Sequence, residues 1–152
     1  MSGNIDIAEL IHRGGVFEVD AKSAEEAYKK ISKLIKLPAG NTPDDVCKAL
    51  CDREKVMTTA VGNGIAIPHA RSLNLTDEND QLILVAYLKH PIDMYAPDGN
   101  PVKVMFVLLS QSNQIHLAAL SKLASLFTKS DFKKAVELKA GEERLSAVIK
   151  GL

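Results

Sequence analysis

Within the stretch Gly62-Asn63-Gly64-Ile65-Ala66-Ile67-Pro68-His69-Ala70-Arg71, two glycines, a proline, a histidine and an arginine fall close together. Glycine at 62 and 64 permits positive φ and close backbone approach, and such a loop can turn amide N–H groups towards an anion. A neutral imidazole is a competent nucleophile near pH 7, because its pKa of about 6.5 leaves it mostly unprotonated. If it accepts a phosphoryl group, the new oxygens call for amides, a second imidazole N–H or a guanidinium fork. A unit charge pair at 4 Å is worth about 4 kcal/mol at an effective dielectric of 20, so one well-placed arginine shifts such a transfer substantially.

Four histidines compete for that role. His12 ends a short polar helix and reads as a surface residue. His90 precedes Pro91 at the end of a strand and reads as a loop residue. His69 follows the glycine turn and Pro68, in a loop leaving the sheet, and is the leading functional candidate. His116 opens a helix, where the dipole disfavours a charged imidazole. The residues alone leave His116 open between a buried polar side chain and a second functional imidazole.

Other chemistries fit less well. A Walker loop needs Gly-Lys-Ser/Thr at its end, and that triplet does not occur. A dinucleotide fingerprint needs a third glycine where Ile67 stands. A zinc site on His69 and His116 has no obvious third ligand. No metal and no cofactor are therefore expected. Cys47 and Cys51, four apart on an expected helix, read as reduced, packed thiols.

The elements that would position these residues follow from periodicity. Ser23 and Glu26 read as a capping box before an apolar stripe through Ala27, Tyr28, Ile31 and Leu34, ended by Pro38-Ala39-Gly40. A short helix is expected over Asn4 to His12 and a short strand over Val16 to Val19. Thr42 reads as an N-cap, with Pro43 at the first position of a helix running to about Arg53. Val56 to Val61 reads as β-structure, and Ile65-Ala66-Ile67 as a strand closed by Pro68. Leu82 to Leu88 and Val102 to Leu109 are apolar enough for central strands, with turn chemistry at Pro97 to Pro101. Helices are expected over Ile115 to Phe127, from a Ser130 cap to Leu138, and over Glu142 to Ile149. The fold class is α/β, a mixed β-sheet flanked by α-helices, with residues 1–152 forming a single domain.

Nineteen Lys and Arg balance nineteen Asp and Glu. That balance argues against nucleic acid as a partner, which needs a basic surface. The apolar runs are far short of a membrane span, so no direct membrane insertion is expected. The N-terminal residues lack a secretory pattern, and a cytoplasmic location is expected.

The stretch from Arg53 to Arg71 resembles the signature of bacterial phosphotransferase-system enzyme IIA proteins of the fructose, mannitol and nitrogen-regulatory class. Pro91-Ile92-Asp93, Asp98-Gly99-Asn100-Pro101-Val102 and His116-Leu117 with Leu120 and Leu123 are similar to further segments of that family. The resemblance implies an α/β sandwich and a phosphocarrier. It implies that His69 accepts a phosphoryl group on Nε2 from the carrier HPr or its nitrogen-branch relative. His116 and Arg53 would then hold the phosphate. Thr58, Thr59, Asn63, Gly64 and Arg71 become candidates for the pocket wall, Thr58, Thr59 and Asn63 being equally open to a structural role. Enzyme IIB or regulated target proteins would be the acceptors. A nitrogen-type regulator is favoured, because the 152 residues include no IIB, IIC or carrier segment and Arg71 follows His-Ala. Sugar transport and a non-phosphorylated interaction module on the same fold are the alternatives. Ala60, Met57, Gln111-Ser112 and His90 depart from the family pattern, which puts the pocket rim and partner preference in question.

Overall fold

The computed structural model describes residues 5–37, 40–70, 75 and 80–151. Two long strands organise the core. β5 (Leu82–Ile92) and β6 (Val102–Leu109) pair antiparallel, with Leu82 opposite Leu109 and Tyr87 opposite Val104. β1 (Val16–Val19) lies parallel to β5, and β3 (Ile65–Ala66) lies parallel to β6. β2 (Ala60–Gly62) closes the edge antiparallel to β3, and β4 (His69–Ala70) adds parallel pairing beside Leu108 and Leu109. Among the described residues the sheet has the order β1-β5-β6-β3-β2, with β4 alongside β6. The expected mixed sheet between helices is therefore observed.

Side chains alternate across these strands, so each strand feeds two cores. Leu84, Ala86, Met105 and Val107 pack with α2 (Ala24–Leu34) and α3 (Pro43–Val56) on one face. Ile83, Val85, Phe106 and Leu108 pack on the other with α1 (Ile7–Gly14), α4 (Asn113–Leu126), α5 (Ser130–Glu137) and α6 (Glu142–Lys150). Burial on both faces explains why β5 and β6 read as nearly continuous apolar runs.

The Thr42 cap forms as expected: its hydroxyl accepts from Asp45 N at 3.2 Å and Asp45 returns the bond to Thr42 N at 2.9 Å. Other boundaries move. α3 continues three residues past Arg53 to Val56, and extended pairing starts only at Ala60. Val56 and Met57 are apolar yet 81% and 67% exposed, so their side chains mimic a strand without being buried in one. At α2 only half of the capping box forms, because the Glu26 carboxylate accepts from Lys22 N and not from Ser23. Ser130 is the first residue of α5 and does not cap it; Lys129 occupies that place without a side-chain bond. α4 is capped by Ser112 and starts at Asn113, two residues before the expected Ile115. His90 lies within β5 at its irregular stretch, 3.6 Å from Asp20 Oδ1, and not in a loop. Asn4, Pro38 and Ala39 lie outside the described residues.

Cys47 and Cys51 are free thiols on α3, and burial together with the neighbouring Cys47 pushes the Cys51 thiol up to about 11. Among the described residues no helix is long and apolar enough to cross a membrane.

α1 sits so close to β5 that Gly14 admits no side chain. A Cβ there would lie 2.0 Å from the Ile83 carbonyl oxygen, a backbone atom fixed by the sheet. We expect Gly14→Ala to lose about 3 kcal/mol of stability. For a chain of this size that is roughly a 10 °C fall in melting temperature by scanning calorimetry.

Candidate active site

The site forms where the C-terminal turn of α3, the short strand β4 and the first turn of α4 meet. β4 is held by its pairing with β6, including the bond from Leu108 N to the Pro68 carbonyl at 2.8 Å. This puts His69 within the sheet and not in a loop leaving it, at 6% exposure. Pro68 cannot donate to the ladder, yet its carbonyl carries the pairing. α4 starts at the Ser112 cap, and its fourth residue, His116, is buried at 4% exposure. The rings of His69 and His116 lie 4.2 Å apart between centroids, tilted by 46°.

The hydrogen bonds of His69 determine which nitrogen carries its proton. Nδ1 lies 3.0 Å from the Ile67 carbonyl oxygen, which can only accept, so Nδ1 donates. Arg53 Nε, which can only donate, lies 2.9 Å from Nε2, so Nε2 offers its lone pair. The imidazole is thus neutral, with the nucleophilic atom turned to the arginine. A second Arg53 nitrogen, Nη1, donates to the Met57 carbonyl at 2.8 Å. Among the described residues no carboxylate pairs with Arg53. Its charge is therefore available to an anion arriving at Nε2. His116 lies in the first turn of α4, at the positive end of that helix's dipole.

The other candidates of the sequence divide. The Thr58 hydroxyl donates to the Met94 carbonyl and accepts from Ala60 N at 3.1 Å. The Thr59 hydroxyl donates to Glu54 Oε1 at 2.7 Å. Both hydroxyls are thus engaged in holding the loop. Gly62, Asn63 and Gly64 all have positive φ, at 100°, 56° and 78°, which makes the tight turn from β2 to β3. Asp98 fastens this turn by accepting from Asn63 N at 2.8 Å, and the backbone donors of Asn63 and Asn100 hold its carboxyl below the usual range. The Gly64 carbonyl receives Lys103 N and Val104 N. His69 pairs with Leu108, four residues farther along β6 than Val104, or about 13 Å at strand rise. The turn therefore shapes the approach to β4 without reaching the imidazole. Arg71 lies outside the described residues.

One residue at the site has no sequence signal that singles it out. Glu54, next to Arg53, accepts from Tyr28 Oη at 2.6 Å, Thr59 Oγ1 at 2.7 Å and Thr59 N at 2.7 Å. These partners stand 26 and five residues away, a spacing no helical or strand period displays.

The family model described as phosphoenolpyruvate-dependent sugar phosphotransferase system, EIIA 2 matches residues 10–151. The chain belongs to this family. Its members are phosphotransferase components that carry a phosphohistidine. A nitrogen regulatory protein of Bradyrhizobium diazoefficiens is 32% identical over 130 residues, covering 84% of this chain and 82% of the relative. A mannitol-specific phosphotransferase enzyme IIA component of Staphylococcus aureus is 30% identical over 139 residues, covering 90% and 93%. Among solved structures, the nitrogen regulatory protein IIA-Ntr of Neisseria meningitidis superposes with a TM-score of 0.76 at 27% identity, covering 88% of this chain and 91% of that one.

Proposed function

We propose that His69 is the phosphoryl acceptor of a IIA phosphocarrier. The supporting observation is the orientation of its ring, with Nδ1–H bound to the Ile67 carbonyl and Nε2 facing Arg53. In this reading Nε2 attacks the phosphorus of a phosphohistidine on HPr or a nitrogen-branch carrier. A P–N bond forms at His69 as the donor's P–N bond breaks, and the donor imidazole leaves with that electron pair. The proton stays on Nδ1, donated to the Ile67 carbonyl, throughout. Arg53 moves from Nε2 to the phosphoryl oxygens, and His116 supplies a further hydrogen bond to them. The phosphoryl group then passes to enzyme IIB or remains as a regulatory mark on this protein.

The regulatory use is favoured. The relatives named as nitrogen regulatory proteins support it at 32% identity in sequence and 0.76 TM-score in structure. The mannitol-specific relative, at 30% identity, supports sugar transport as the second reading. Residues 1–152 act as one cytoplasmic domain that needs no cofactor and binds no nucleic acid.

The test is phosphoryl uptake. The full chain is incubated with phosphoenolpyruvate and either enzyme I with HPr or their nitrogen-branch counterparts, then digested under alkaline conditions. An acid-labile phosphate on the peptide holding His69 is expected, reached faster with the nitrogen-branch carrier. Label on His12 or His90 instead would refute the assignment, and faster uptake from HPr would move the role to sugar transport.

A further inference from the structure

From this geometry we infer that Glu54 is the positioning residue of the phosphoryl-transfer site, holding both nitrogens of His69 in register at once. The three bonds it accepts tie together three parts of the chain: α2 through Tyr28, α3 through its own backbone, and the loop before β2 through Thr59. Two routes run from it to the imidazole. The first is covalent. Arg53 precedes Glu54 on the last turns of α3, so fixing the Glu54 side chain fixes the rotation of α3 that aims Arg53 Nε at Nε2. The second is a chain of hydrogen bonds. Thr59 N–H donates to Glu54 Oε2 at 2.7 Å, Ile67 N–H donates to the Thr59 carbonyl at 3.0 Å, and His69 Nδ1–H donates to the Ile67 carbonyl at 3.0 Å. The second and third acceptors are carbonyls of Thr59 and Ile67, the residues whose N–H groups donate in the step before, so the series fixes the position of the Ile67 carbonyl that holds Nδ1.

The arrangement has a mechanical reading. α3 ends at Val56, and the chain must cross Met57 and Thr58 before reaching the sheet at Ala60. Met57 and Val56 are exposed and contribute little packing. Glu54 closes this crossing as a clamp, with both its oxygens engaged on Thr59. The Tyr28 hydroxyl, whose pKa is raised chiefly by burial and by the facing carboxylate, adds a bond to Oε1, the oxygen that also accepts from Thr59 Oγ1. A ring displaced by about 1 Å from the in-line path costs up to about a hundredfold in rate, so a clamp that sets both nitrogens controls the speed of transfer and not the affinity for the donor.

Two substitutions separate position from charge. Glu54→Asp keeps the charge but is one methylene too short to reach Thr59 N and Tyr28 Oη together. Glu54→Gln loses the charge but keeps the reach. Its carbonyl can accept from Thr59 N while its amide donates to the two hydroxyls, which can turn to accept. The kinetic consequence rests on the acceptor role proposed for His69; the ring geometry does not.

The experiment uses the full chain, with phosphorylated carrier as the donor and nitrogen-15 shifts of the histidine rings as an independent readout. We expect Glu54→Asp to lower the saturated rate about tenfold, with the half-saturating donor concentration changed less than twofold. Its His69 signals should move from a pure Nδ1–H form to a mixture of tautomers. Glu54→Gln should stay within about threefold of wild type, with wild-type ring shifts. The positioning role falls if Glu54→Asp has the wild-type rate and ring shifts. It falls equally if Glu54→Gln is as slow as Glu54→Asp, because charge and not reach would then matter. If the wild-type chain takes up no phosphoryl group, the acceptor role of His69 fails, and the ring shifts alone decide on Glu54.

Discussion

We expect His69→Ala to leave the protein folded and unable to take up phosphoryl label from its donor. Uptake should fall from near one group per chain to background, whereas His12→Gln and His90→Gln should label fully. The reasons are geometric. Of the four histidines, His69 is the one with Nδ1 committed to a carbonyl and Nε2 held against a guanidinium that no carboxylate neutralises among the described residues. His12 is exposed and bound to Glu142 at 2.7 Å, which raises its pKa and keeps it charged to higher pH, where an imidazole is a poor nucleophile. His90 is exposed at the irregular end of β5, beside Asp20. His116 sits against His69, with ring centroids 4.2 Å apart. Filter-binding of labelled phosphate under alkaline conditions, with mass spectrometry for occupancy, checks all three variants. Retained uptake in His69→Ala would transfer the acceptor role to His116.

How far these positions could be read from residue types depends on the range of the forces that set them. The Thr42-Pro43-Asp45 start of α3 is local, with every partner within three residues, and it was legible. β5 and β6 were legible because burial on both faces leaves unbroken apolar runs. The end of α3 was not. Val56 and Met57 have strand-like side chains, but the backbone leaves the helix only where the loop is drawn to Glu54, a contact made across the fold. β4 escaped notice for a related reason. Two residues carry no period, and pairing with β6 alone makes His69-Ala70 a strand.

The site divides in the same way. His69, His116 and Arg53 were legible as residue types within a resembling signature, and the structure brings their side chains together. Asn63 and Gly64 share the signature but serve its turn, because a motif in sequence can hold both a reacting group and the hinge that presents it. Glu54 was hidden, since neither Tyr28 nor Thr59 stands at a spacing that announces a contact. The zero net charge of the chain is uninformative about all of this. A phosphoryl group on His69 would place a dianionic group beside Arg53, a net change of about −1 while Nδ1 keeps its proton, so a balanced surface becomes more acidic at one point, where a partner can read it.

Arg53→Met should be the most informative single change after removal of the acceptor. We expect the rate of phosphoryl uptake to fall about 10²- to 10³-fold, the usual consequence of losing one preorganised donor to developing charge. Arg53→Lys should recover less than a tenth of that loss, because an ammonium cannot hold the Met57 carbonyl through one nitrogen and reach Nε2 with another. Stability should change little, since Arg53 is half-buried and makes no ion pair among the described residues. Rapid-quench measurement of label transfer gives the rate, and thermal unfolding checks the fold. A second consequence follows from the resting contact at 2.9 Å between Arg53 Nε and His69 Nε2. The arginine covers the nucleophile until an anion draws it away, so Arg53→Met should expose Nε2. Diethyl pyrocarbonate, which acylates unprotonated imidazole nitrogen, should modify His69 faster in this variant than in wild type, even as phosphoryl uptake slows. Opposite responses to a neutral and an anionic electrophile are what a residue acting as both cover and anion clamp produces. Parallel losses in both reactions would instead mean that Arg53 only supports the shape of the loop.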